Sequence, residues 1–151
     1  MKEDPNPMLH NPRVLAFLEA LTVGLPFCIF KILAGVLLGR WGLALLALGG
    51  VDAFLNLANL ASLGALGKRA VPVCTLSILV PAWPRFRGLD TEELATSLDV
   101  AVSFVIVAAV IGLGYIKAFS HLEVSLWNLA VVLNVLGAGL FQVNQAYAKL
   151  R

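Results

Sequence analysis

Residues 41–65 read WGLALLALGGVDAFLNLANLASLGA, and this stretch decides the fold class. Its length suits the roughly 20 residues needed to cross the hydrocarbon core of a bilayer, and it is almost entirely apolar. Yet Asp52, Asn56 and Asn59 interrupt it. They fall at i, i+4 and i+7, which places them on one face of a helix. A carboxylate in hydrocarbon costs about 2.5–3.5 kcal/mol on insertion scales, so this face belongs inside a bundle or beside water. Gly49 and Gly50, just before Asp52, suit the close approach of a neighbouring helix.

Three further windows, residues 16–38, 100–119 and 122–143, have the same length and character. The chain is 60% hydrophobic and 13% charged, against about 45–50% and about 25% in soluble domains. The class is therefore an all-α integral membrane protein, a single domain over residues 1–151 with four transmembrane helices. The third window is rich in β-branched residues, but in lipid an isolated strand would leave its backbone groups unsatisfied. Gly39-Arg40-Trp41-Gly42 and Ser120-His121 are very short joints. They predict two tight antiparallel hairpins forming a four-helix bundle.

In the first span Pro26 lacks an amide donor and clashes with the preceding turn, so a kink is expected over residues 22–26. Lys31 sits about 12 Å of helix from the Gly39-Arg40 turn. Two readings are open: it snorkels to the interface, or it pairs inside the protein with Asp52, the nearest opposite charge by depth. Asn134 is the deepest polar group of the fourth span, with the Asn56/Asn59 face as its expected partner. Lys31, Asp52, Asn56, Asn59 and Asn134 make up the candidate functional stripe.

Residues 68–99 read as a cytoplasmic or interfacial loop. Pro72, Pro81 and Pro84 leave too little uninterrupted chain for a crossing helix, so residues 70–84 are expected at the headgroup boundary. A re-entrant segment with its backbone buried in protein is the alternative. Lys68, Arg69, Trp83, Arg85 and Arg87 form its lipid-facing surface. Asp90 and Glu93 fit a capping box, opening a helix at Thr91 that runs into the third span and leaves Asp99 near the aqueous boundary.

With four spans, residues 1–15 form a tail on the same side as the central loop and the carboxyl end. That side receives Lys2, Arg13, Lys68, Arg69, Arg85, Arg87, Lys149 and Arg151, and the two turns receive Arg40 and Lys117. This asymmetry predicts a multi-pass protein of the cytoplasmic (inner) membrane with both termini cytoplasmic. The basic groups are spread along the membrane flanks, which opposes a nucleic-acid partner. Membrane lipids, a second copy or another membrane protein are the expected partners.

No phosphate-binding loop, dinucleotide fingerprint, nucleophile elbow or HExxH motif occurs. His10 and His121 are expected on opposite sides of the membrane, and Cys28 and Cys74 read as small buried hydrophobes. No catalytic residue, metal site or cofactor is assigned. The leading expectation is an accessory or scaffold-like membrane subunit that packs with protein partners. The alternative is a small oligomeric ion or proton channel or transporter using the stripe around Asp52. A lipid-modifying membrane enzyme is a further alternative.

Overall fold

The computed structural model describes residues 11–82 and 91–149. Trp83, Arg85, Arg87 and Asp90, which carry part of the expected lipid-facing surface and the expected cap, lie outside them, as do residues 1–10. Helix α1 (Pro12–Glu19) opens with Asn11, whose side chain accepts from the Arg13 amide at 3.0 Å, and with proline at the first helical position. There the missing amide hydrogen costs nothing. A π turn (Ala20–Gly24) joins α1 to α2 (Leu25–Leu37). It is the local answer to Pro26, which cannot donate to the carbonyl one turn earlier.

A short 3-10 turn (Gly39–Gly42) leads into α3 (Leu43–Leu66). Gly67 ends α3 in the left-handed region at φ 69°, its amide bonding back to the Leu63 carbonyl, a conformation glycine adopts without a Cβ clash. After an irregular stretch come α4 (Thr75–Leu79), α5 (Thr91–Gly112) and α6 (His121–Lys149). The third apolar window was expected to run helical to residue 119. Instead α5 stops at Gly112, and Gly114, at φ 73°, turns the chain into a 3-10 segment over Tyr115–Ala118. Among the described residues there is no strand.

The core gathers around α2. Phe27, Phe30, Leu33 and Ala34 from α2 pack with Ile106 and Val110 of α5 and with Trp127 and Ala130 of α6. The Phe30 and Trp127 rings lie 4.7 Å apart. Helices α5 and α6, although consecutive, make their broadest contacts with α2 rather than with each other. Four segments, Pro12–Leu37, Gly39–Leu66, Glu93–Gly112 and His121–Leu140, are long and apolar enough to cross a membrane. Phe104, Val105, Leu129, Val132 and Val135 face outward, which suits lipid and not water. The protein is a membrane-embedded helical bundle.

Candidate functional site

The polar face of α3 meets a backbone. From Gly67 the chain turns back and runs along α3 until the Thr75 amide reaches Asp52. This stretch is irregular, with several bends, and α3 side chains supply its hydrogen-bond partners in order. Ser62 Oγ donates to the Lys68 carbonyl at 2.7 Å. Asn59 Oδ1 accepts from the amides of Ala70 and Val71, both at 3.1 Å, while its Nδ2 donates to the Pro72 carbonyl at 3.3 Å. Asn56 Nδ2 donates to Asp52 O at 2.9 Å and to Val73 O at 3.4 Å.

Asp52 completes the ladder. Its Oδ1 accepts from both the amide and the hydroxyl of Thr75 at 2.6 Å. Residues 68–74 therefore lie along α3, held by the polar face of Asp52, Asn56, Asn59 and Ser62. Pro72 fits this placement, because it brings one fewer amide in need of a partner. Close approach is made possible by Gly24 of the π turn, where a Cβ would fall 2.0 Å from Asn56 Oδ1.

Behind the ladder lies a charged centre. Lys31 Nζ donates to Asp52 Oδ2 at 2.6 Å and also to Asp99 Oδ1. Lys31 reaches Asp52 because Gly49 lets the α2 backbone close in: a Cβ there would sit 3.0 Å from Lys31 Cβ. The Lys31 and Asp52 side chains are 2% exposed and Asp99 is 14% exposed. Ser103 fixes the α5 turn at Asp99 by donating to its carbonyl at 2.8 Å. Two carboxylates, from α3 and α5, thus share one ammonium from α2.

Asp99 also lines a cavity of about 40 Å³, together with the polar residues Glu19, Asn56, Asn59, Arg69 and Thr96 and a larger apolar share from Val23, Phe27, Val73, Cys74 and Val100. That volume holds roughly three water molecules. Glu19 and Arg69 are ion-paired and about one third exposed. No protein family, curated protein or solved structure matches the chain. The geometry carries the functional argument alone.

Of the stripe residues, Lys31 bonds the Asp52 carboxylate and Asn56 the Asp52 carbonyl, while Asn59 lines the same cavity as Asn56. Asn134 does not join them: it is half-buried on α6, and among the described residues it makes no hydrogen bond to Asn56 or Asn59. Lys68 is exposed, and Arg69 turns inward to Glu19. Sequence reasoning passed over Asp99, whose position eight residues beyond Thr91 suggests an aqueous boundary. Cys28 and Cys74 are both buried and unlinked, and burial pushes the Cys74 thiol pKa up. Among the described residues no group of three or more His, Cys, Asp or Glu side chains is arranged to hold a metal ion.

Proposed function

We propose that this protein moves an ion or a proton across the cytoplasmic membrane, as a small oligomeric channel or transporter. One observation carries the reading: Asp52 and Asp99 share the single Lys31 ammonium at a buried position beside a water-sized cavity. Intramembrane charge is expensive and marks a functional site by default. The cavity is far smaller than the roughly 300–1,000 Å³ of sites for organic ligands, which favours a very small species.

In this reading the spans form two antiparallel hairpins with both termini cytoplasmic, supported by the eight basic residues on one side against two on the other. The exposed apolar faces of α5 and α6 meet lipid or a second copy. An accessory-subunit role draws on the same faces but leaves the second carboxylate without a purpose. Reconstitution of the purified protein into liposomes decides between them. Proton, potassium or sodium flux above that of empty liposomes, lost when Asp52 and Asp99 are both replaced by asparagine, is the expected result. No flux of any ion, with a defined foreign partner held through purification, sinks the proposal in favour of the accessory role.

A further inference from the structure

Within the charged centre, Asp99 alone forms part of the cavity wall; Lys31 and Asp52 lie behind it. Asp52 is occupied on both oxygens, by Lys31 on one and by Thr75 on the other. With both acids ionised the centre carries one uncompensated negative charge, and a buried charge without a partner tends to change its protonation state. One proton on Asp99 removes that charge. A metal cation fits less well, because the Lys31 ammonium already occupies the place between the carboxylates and would repel it.

We infer that Asp99 is the proton-exchanging group of this centre, reached through the small cavity, and that the Glu19–Arg69 ion pair gates the water path to it. The inference rests on the proposed ion or proton movement and narrows the species to the proton. In the loading step a hydronium ion in the cavity gives its proton to an Asp99 oxygen, forming an O–H bond and leaving water. Lys31 keeps its ammonium and its bond to Asp52, and the charge of the centre falls from −1 to zero. In the unloading step the O–H bond breaks and the proton returns to water.

Two opposed forces act on this carboxyl: burial penalises its charge, and the Lys31 ammonium stabilises it. The other groups facing it are Asp52 of α3, Cys28 of α2, Cys74 and Arg69 of the segment after α3, and Glu19 of α1. Asp52 is held by Thr75 and keeps Lys31 charged while Asp99 is neutral. Glu19 and Arg69 line the same cavity and are about one third exposed, so separating them opens the way to bulk water.

The test uses the full chain in liposomes loaded with a pH-sensitive dye, under a potassium diffusion potential. Wild type is expected to move protons, D99N to fall to the level of empty liposomes, D99E to retain flux, and E19Q to raise it. Proton flux that survives in D99N, or an E19Q rate no different from wild type, overturns the inference. So does a wild type that conducts potassium or sodium and no protons, an outcome that leaves the broader proposal standing.

If wild type moves no ion, the broader proposal fails, and infrared spectroscopy still tests Asp99. A carboxyl C=O band that titrates with external pH, is lost in D99N and is shifted in D99E supports proton exchange at this residue. A band unchanged in both variants overturns it.

Discussion

Thr75 follows Asp52 by 23 residues, and its amide and hydroxyl both donate to one oxygen of that carboxylate at 2.6 Å. The other oxygen takes Lys31. Asp52 is thus the joint between two assemblies: the ladder that holds residues 68–74 against α3, and the charge centre shared with Asp99. Its burial is tolerable because every donor around it is directed at it, including a charged one.

Removing the ammonium should be more damaging than removing one of its acids. Lys31→Met leaves two buried carboxylates with no cation, and breaking a buried pair in this way costs about 3–5 kcal/mol. Asp52→Asn keeps an oxygen for Thr75 and leaves Lys31 with Asp99 as a one-to-one pair. The expected order of stability is wild type, then D52N, then K31M, with the double variant K31M/D52N less impaired than the sum of the singles. Thermal unfolding of the detergent-solubilised protein checks the order; a K31M as stable as D52N would contradict it.

Asn59 should be the residue on which segment 68–74 depends most. Its buried side chain serves two amides and one carbonyl in part-buried hydrogen bonds, and a buried polar group left unpaired costs about 1–3 kcal/mol. Asn59→Leu is expected to release residues 70 and 71 to fast amide hydrogen exchange while the middle of α2 stays protected. Asn134→Leu, by contrast, should leave both amides slow. Equal exchange in the two variants would show that the ladder does not hold the segment.

Some of this was written openly in the chain and some was not. The apolar windows gave the helices, because lipid allows an isolated segment no other backbone solution. The i, i+4, i+7 spacing gave the shared face of Asp52, Asn56 and Asn59, and the depth argument raised Lys31 as a partner for Asp52. What the face contacts was not legible, since a strip of amides suits water, a helix or an extended backbone equally well. Asp99 was not legible as a member of the site, because nothing in its own helix points to Lys31, which lies 68 residues earlier in the chain. The Ser120/Glu123 cap on α6, in which the Ser120 amide donates to Glu123 Oε2 at 2.7 Å, went unread because the Ser120-His121 pair reads only as a hairpin joint.

Two glycine substitutions should damage the bundle and two should not. A Cβ at Gly24 would fall 2.0 Å from Asn56 Oδ1, and one at Gly137 would fall 2.3 Å from Thr22 Oγ1. Overpacking of this kind costs about 1–3 kcal/mol. Gly50 and Gly139 have nothing within 4 Å of the added atom, so alanine there is expected to be neutral or slightly stabilising through helix propensity. Unfolding midpoints of the four single alanine variants provide the comparison. A Gly24→Ala protein as stable as Gly50→Ala would mean that the π turn and α3 are not so close.

The orientation in the membrane follows from where charge is placed, and labelling can read it directly. Arg40 and Lys68 are both exposed, the first in the turn between α2 and α3 and the second just beyond the far end of α3. About 36 Å of helix separates the two ends of α3, enough to place them on opposite sides of a bilayer. The native thiols are a quiet background, since Cys28 and Cys74 are 2% and 4% exposed. In intact cells a membrane-impermeant maleimide is expected to label Arg40→Cys at once and Lys68→Cys only after permeabilisation. Both sites labelled from outside would remove α3 as a crossing helix. The reverse pattern would place the termini outside, against the direction in which basic residues hold a membrane protein.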